Sequence, residues 1–330
     1  MAAMMKAAIL LFAAALAAFS GPTRAPDTPH APTPTPAPAV LSAPDAGTPD
    51  VPSGSPAPTP FTFVWFPDTQ TSAYYQPEAL AAMGKYVASR AEAFNIIYVL
   101  STGDLVDNGF KQWEWDNFYL AYDRFKDRVP FFPIAGNHDL GVKKQNWQGY
   151  LRQPCVQAAA DDLCQFEGGK AAFCRVSAGG TDFLIVGVGY GAEKESAAWV
   201  REIFARYPND YGILLAHEYL HAKKGIYGNG EILYDEVVSK CENLRLVLCG
   251  HFRGTWYRTD EFDDDGDGTL DRTVQTMLMN YQGRKKLGGQ LRLMTFDPAA
   301  REITVKTLSA LTFRNMRDDY FKSSVFTIPY

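Results

Sequence analysis

Apolar residues in this chain come in short unbroken runs, and five of those runs stop abruptly at polar residues. Phe61-Thr62-Phe63-Val64-Trp65-Phe66 ends at Pro67-Asp68-Thr69-Gln70, and Ile96 to Leu100 runs into Gly103-Asp104-Leu105-Val106-Asp107. Phe131 to Ala135 ends at Gly136-Asn137-His138-Asp139, Gly212 to Ala216 at His217, and Leu244 to Cys249 at Gly250-His251. Continuous apolar runs predict strands buried on both faces. Longer stretches of helical composition lie between them: Pro77 to Phe94, Gln112 to Lys126, Glu193 to Tyr207 and Glu231 to Lys240. Ala171 to Ser177 and Asp182 to Val188 predict a strand pair, and Val274 to Asn280, Leu291 to Phe296 and Ile303 to Leu308 predict closing strands. Alternation first and strands last predicts two packed sheets flanked by helices in one domain over 61–330. Leu140 to Lys170 and Glu218 to Gly230 read as insertions beside the strand tips, where loops shape access.

The first sixty residues stand outside this pattern. Lys6 followed by the apolar run Ala7 to Phe19 has the form of an export signal, with cleavage expected after Ser20. The run is short for a bilayer span, so membrane contact is expected only through this segment if it is uncleaved. Residues 21–60 hold 13 of the 21 prolines and read as a semi-extended, disordered spacer. The expectation is an exported protein: periplasmic, envelope-associated or secreted. In such a compartment five cysteines predict disulfides plus a spare thiol, with Cys155 and Cys164 close enough in sequence to staple a loop. Cys249 lies in an apolar run and reads as a small buried hydrophobe. No C-x-x-C spacing occurs, which argues against a thiolate zinc site. A net charge of −5 argues against a nucleic-acid surface. The oligomeric state is open.

The tips carry the chemistry. Open α/β sheets place ligands beyond the carboxyl ends of their strands, so one Asp, Asn or His at each tip brings them to one point. A mixed N/O donor set suits divalent manganese, iron or zinc. The residues predict a metallohydrolase.

The ordered set Asp-x-Gln, Gly-Asp-x-x-Asp, Gly-Asn-His-Asp, a lone His after a strand, and Gly-His resembles the calcineurin-like metallophosphoesterases. Gly136-Asn137-His138-Asp139 with Gly103-Asp104 is the most specific part. The resemblance implies an α/β four-layer α-β-β-α sandwich of two mixed sheets. It further implies one or two divalent transition metals and hydrolysis of a phosphate ester, small or macromolecular, through a metal-activated water. It assigns Asp104 to bridge two metals, Asn137, His217 and His251 to complete one site, and Asp68 with Gln70 to furnish the other. It places His138 at the leaving-group oxygen and gives Asp107 the task of orienting a neighbour. Asp68-Thr69-Gln70, Asn280-Tyr281-Gln282 and Gly288-Gly289 are similar to a secreted subgroup of the family.

Two positions depart from the family pattern. Gln70 stands where a His is usual, and Arg253 replaces a second His in the last motif. A guanidinium cannot ligate, but it offers permanent charge and a bidentate fork. Arg253 is therefore expected to lie against Asp68, or to clamp phosphate there, as a second catalytic group beside His138. A metal-, anion- or glycan-binding module of reduced activity is the alternative that this departure favours. His217-Glu218-Tyr219-Leu220-His221 also matches HExxH, whose zinc-protease chemistry needs both His on one helix face. Strand-like residues before it and Gly225 after it argue against that helix. Asp263 to Asp271 approximates a calcium loop but has Val274 where a closing carboxylate is expected. Tyr281, Gln282 and Arg284-Lys285-Lys286 are expected at the site mouth, and Trp113, Trp115 and Tyr119 in helix packing.

Overall fold

The computed structural model describes residues 59–141, 143–160, 162–282 and 288–330. The expected signal at 1–20, the spacer up to residue 58 and the run Arg284-Lys285-Lys286 lie outside the described residues. No helix among the described residues is long and apolar enough to cross a membrane.

The first apolar run forms β1 (Phe61–Phe66), with a short helix α1 (Gln70–Tyr75) at its tip and α2 (Pro77–Arg90) after it. Then come β2 (Ile96–Ser101), α3 (Gln112–Phe125) and the very short β3 (Phe131–Phe132). The insertion after β3 folds as α4 (Trp147–Leu151), α5 (Pro154–Ala160) and an edge strand β4 (Cys164–Phe166). β5 (Ala171–Ala178) and β6 (Thr181–Val188) pair antiparallel as expected. α6 (Glu193–Arg206) leads to β7 (Tyr211–Ala216), a small ribbon of β8 (Leu220–His221) and β9 (Gly225–Ile226), and α7 (Asn229–Leu233). α7 runs into a π-helical turn, Tyr234–Val238, so the expected helix to Lys240 is neither one element nor uniformly α. β10 (Leu244–Cys249) and a long hairpin of β11 (Gly254–Phe262) and β12 (Arg272–Asn280) follow. The chain closes with β13 (Gln290–Asp297), β14 (Glu302–Ser309) and β15 (Val325–Pro329).

One sheet has the order β15-β14-β13-β1-β2-β3, the other β11-β12-β10-β7-β6-β5-β4. Both mix parallel and antiparallel pairs. Phe61, Phe63 and Trp65 of β1 pack with Ile185, Leu215 and Leu248 of the second sheet to form the core between the sheets. Val64 and Phe66, on the opposite face of β1, pack with residues of α2 and α3. Val186, Leu214 and Val247 do the same beneath α6 and the π-helical turn. Both faces of each central strand are thus covered, which is why those strands read as nearly continuous apolar runs. The layering is α-β-β-α, as the motif resemblance implied.

The expected disulfide is not formed, and all five cysteines are free thiols. Cys155 is buried in α5, whereas Cys164 is exposed on β4. Cys249 is fully buried, as a small hydrophobe. The aromatic stretch of α3 also divides. Trp115 is core, but Trp113 is 44% exposed.

Candidate metal centre

β1, β2 and β3 run parallel in one sheet, and β6, β7, β10 and β12 run parallel in the other. Their carboxyl ends meet across the top of the sandwich. The chain cannot turn there without close backbone approach. A Cβ on Gly136 would stand 2.1 Å from the Asp104 amide and 2.2 Å from its Oδ1. One on Gly250 would stand 2.0 Å from Asp68 Oδ1. These two glycines exist so that two carboxylates can lie against bare backbone. Asp104 and His251 themselves adopt left-handed backbone, with φ of 53° and 62°. Such conformations cost energy in non-glycine residues and persist where the surroundings over-determine them.

Four donor atoms converge on the β2, β3, β7 and β10 tips. His217 Nε2 lies 3.0 Å from Asn137 Oδ1, 3.2 Å from His251 Nδ1 and 3.3 Å from Asp104 Oδ1. Metal–ligand bonds of about 2.0–2.2 Å in tetrahedral to octahedral arrangement require donor separations of roughly 2.9–3.5 Å. The donor set therefore fits one divalent ion. The second ring nitrogen of His217 donates to the Thr102 carbonyl at 2.7 Å, which fixes the ring and presents Nε2 to the ion.

The electrostatics match. Burial opposes charge on Asp104, but His217 and the His138 N–H, which donates to Oδ1 at 2.9 Å, outweigh it and hold the carboxyl below its usual range. Burial also opposes charge on His217, and Asp104 together with Asp68 overrides it, pushing the imidazole up to about 10. Burial and then His217 push His251 down to about 4, leaving a neutral imidazole. A metal at His217 Nε2 must displace a proton. Below a pH of about 10 the metal-free ring is charged, so raising the pH removes the competitor. Apparent metal affinity should climb by up to about tenfold per pH unit from pH 6 to 8. Chelator competition at several pH values measures this, and a flat profile contradicts it.

On the β1 side, Asp68 accepts from the His251 N–H at 3.0 Å and from the Asn280 amide at 2.8 Å. Burial, reinforced by Asp104, raises its pKa well above the carboxylate range. Gln70 donates its amide to Asp104 Oδ2 at 2.8 Å, while its Oε1 accepts from the Gln282 amide. Asp68, Gln70 and the second oxygen of Asp104 thus make a thinner donor group beside the first. Arg253 does not join it. Its side chain is exposed, and among the described residues the Asn280 amide occupies the position expected of the guanidinium.

His138 stands beside the centre, about 40% exposed. Its Nδ1 donates to the Asp107 carbonyl at 2.7 Å, with the Asp107 carboxylate 3.3 Å away. Asp139 is not a donor to the centre. One of its oxygens accepts from Gly136 N and the other from Val106 N, tying the β2 and β3 tips together. Burial and Asp104 push this carboxyl up to about 7.

Three residues here carry roles the sequence did not reveal. Asn280 ends β12 and Tyr190 follows β6, so both obey the strand-tip rule. The Tyr190 ring lies 5.9 Å from that of His217 and 6.1 Å from that of His251. Lys144, from the insertion after β3, donates to the Tyr190 hydroxyl at 3.2 Å and brings positive charge near His251. Tyr281 is not at the mouth; it is buried in the core between the sheets.

The HExxH string forms no helix. His217 follows β7, while His221 sits in β8, accepting from Lys223 N and packing on Phe252. Its two imidazoles share no helix face, which removes the protease chemistry. Asp263, Asp265 and Asp267 do bring carboxylates together in the β11–β12 turn, all exposed, and those carboxylates accept from backbone N–H groups of the same turn. A cavity of about 560 Å³ lies elsewhere, lined by Asp210, Asn243 and Arg245, and contains none of the tip donors.

The crowding at Gly250 yields a direct expectation. Gly250→Ala should destabilise the fold by about 1–3 kcal/mol through overpacking. It should also lower metal content, because the displaced carboxylate is Asp68. Urea denaturation and metal analysis of one preparation test both.

Comparison with known proteins gives three findings. A family model described as calcineurin-like phosphoesterase matches residues 61–252. YvnB, an uncharacterized protein of Bacillus subtilis (strain 168), is 32% identical over 259 residues, which cover 77% of this chain and 20% of that protein. The chain spans about a fifth of the length of this curated relative. Among solved structures, a dimetal phosphatase from Danio rerio superposes with a TM-score of 0.56 at 12% identity, covering 82% of this chain and 99% of the other. Purple acid phosphatase PPD1 of yellow lupin (Lupinus luteus) gives a TM-score of 0.52 at 15% identity, covering 82% and 54%.

Proposed function

The chain belongs to the calcineurin-like phosphoesterase family, and from that membership we propose that it hydrolyses a phosphate ester at the centre built by Asp104, Asn137, His217 and His251. The observation that carries this reading is the convergence of three N/O donors within 3.0–3.3 Å of a fourth, His217 Nε2, with His138 held beside them by Asp107. A bound divalent ion supplies Lewis-acid charge that neutralises phosphoryl oxygens and makes water acidic near neutral pH.

The chain's own residues do the rest. Asp104 offers Oδ1 to the first donor group and Oδ2 toward Gln70, so one carboxylate serves both halves of the centre. The Asp107 carbonyl can only accept, so the proton on His138 Nδ1 is fixed there and Nε2 is the atom that hands a proton to the departing alcohol. The Asp107 carboxylate lies 3.3 Å from the same Nδ1. Lys144 adds positive charge on the side of Tyr190, which suits an anionic substrate.

In this reading the first donor group holds one ion tightly. Asp68 and Gln70 would hold a second one weakly, because Gln70 Oε1 is already engaged by Gln282. The same engagement favours the second reading, a metal- or anion-binding module of reduced turnover. Hydrolysis of 4-nitrophenyl phosphate with added manganese separates the two. Turnover that disappears with a chelator and returns with metal supports the enzyme; bound metal without turnover selects the module. Export and affinity to the secreted subgroup are part of the proposal, resting on Lys6, the run Ala7 to Phe19 and the Asp68-Thr69-Gln70 motif. Cell fractionation tests the first of these.

A further inference from the structure

We propose that Tyr74, Tyr75, Phe110 and Trp113 form a leaving-group subsite that stacks a planar aromatic ring of the substrate, a nucleobase or an aryl group. This rests on the phosphoesterase reading above and adds a substrate class to it.

The four side chains are exposed: Tyr74 by 37%, Trp113 by 44%, Phe110 by 64% and Tyr75 by 72%. Three of them touch one another. The rings of Tyr74 and Tyr75 are 4.3 Å apart, and those of Tyr74 and Trp113 are 5.3 Å apart. The Lys111 ammonium lies 5.0 Å from the Tyr74 ring and 5.6 Å from the Trp113 ring. Large rings left in water at one place mark a binding surface rather than scattered exposure.

Their position names the occupant. α1 begins at Gln70, whose amide reaches Asp104, and Tyr74 lies about one helical turn, roughly 6 Å, further along the same helix. The loop whose Asp107 holds His138 continues directly into Phe110, Lys111 and Trp113. Phe110 packs over Gly141, where a Cβ would meet its ring at 2.3 Å, and Gly141 N donates to the His138 carbonyl at 2.9 Å. The segments that hold the proton donor for the departing oxygen are therefore the segments that carry the rings. An alcohol protonated at His138 has its carbon skeleton on this side.

Exposed aromatic faces stack planar rings with little regard to their substituents. Lys111, paired with Glu114 at 3.3 Å, sits against two of these rings and helps hold them in place. Glycerol-like leaving groups have no face to offer this surface.

Two measurements decide the matter. In the first, the chelator-treated full chain is titrated with adenosine, 4-nitrophenol or glucose while tryptophan fluorescence is followed. Saturable quenching by adenosine or 4-nitrophenol that disappears in Trp113→Ala supports the subsite, and the better of the two titrants tells nucleobase from aryl source. Quenching by glucose alone, or none, overturns it. In the second, kcat/KM is compared for phenyl phosphate and glycerol phosphate. Tyr74→Ala and Trp113→Ala should lower the phenyl-to-glycerol ratio by roughly tenfold. Leu270→Ser, an exposed apolar position in the β11–β12 turn, should leave it unchanged. Equal losses on both substrates overturn the subsite while the phosphoesterase reading stands. Failure to hydrolyse either substrate with metal sinks that reading instead, and the fluorescence titration then decides the subsite alone.

Discussion

Asp104→Asn is expected to remove metal and activity together while leaving the backbone in place. Asparagine is the substitution that isolates charge here, because it tolerates the left-handed φ of 53° that position 104 adopts. Its remaining carbonyl oxygen can still accept the His138 N–H that Asp104 Oδ1 accepts at 2.9 Å. The negative charge that holds His217 against burial is gone, and an amide NH2 then faces the Gln70 amide that now donates to Oδ2. Replacing residues that merely orient metal ligands costs about ten- to a hundredfold in affinity, so losing a carboxylate shared by both donor groups should cost more than a hundredfold. The loss in kcat/KM should exceed about a thousandfold, beyond what removal of a single stabilising donor does elsewhere. Elemental analysis and steady-state kinetics on the same sample measure both, with circular dichroism as the folding control. A variant that keeps its metal would remove Asp104 from the centre.

How much of this was legible in the sequence depends on what buries each strand. β1, β7 and β10 were readable almost to the residue, because both of their faces are covered and only single polar residues, Thr62 and Arg245, interrupt the apolar runs. β11 was invisible. It is an edge strand with Thr, Arg, Asp and Glu along it, and its burial is mostly partial, so neither run nor clean alternation appears. β15 is likewise an edge strand ending in proline. α1 is too short to show a period, and it carries both Gln70 and the exposed tyrosines.

The centre was legible through the same rule, and its errors come from applying that rule unevenly. Five tips were read as arms of a site, yet β6 and β12 run parallel to them, β6 leading into Tyr190 and β12 ending at Asn280. Following every parallel strand to its tip would have found both. Arg253 departs from expectation in one respect, since it makes no contact with Asp68. It was placed by motif position, whereas a neutral amide on a neighbouring strand meets Asp68. A neutral donor beside a carboxylate whose pKa is already raised by burial leaves that carboxylate able to accept an ion or a proton. A fixed guanidinium would have competed with the ion for it. The thinner half of the centre is thus weak through Gln70, and open through Asn280.

His138→Asn is expected to leave metal content and KM close to those of the parent while lowering kcat by about 10²–10⁴-fold, the usual worth of a positioned acid. The fold should tolerate it, because the side chain is about 40% exposed and an asparagine amide can still donate toward the Asp107 carbonyl. The diagnostic lies in the leaving group. A proton donor matters in proportion to the basicity of the oxygen it serves, so the loss should be small with 4-nitrophenyl phosphate and large with an alkyl phosphate. A positively charged ring that merely attracted substrate would instead raise KM for both esters alike. A general acid held by Asp107 should also make Asp107→Asn a partial copy of the defect: the carbonyl that fixes Nδ1 remains, and only the carboxylate contact 3.3 Å from Nδ1 is lost. The two variants compared across a series of leaving groups decide the role. Equal losses at every leaving group would move His138 from proton transfer to binding.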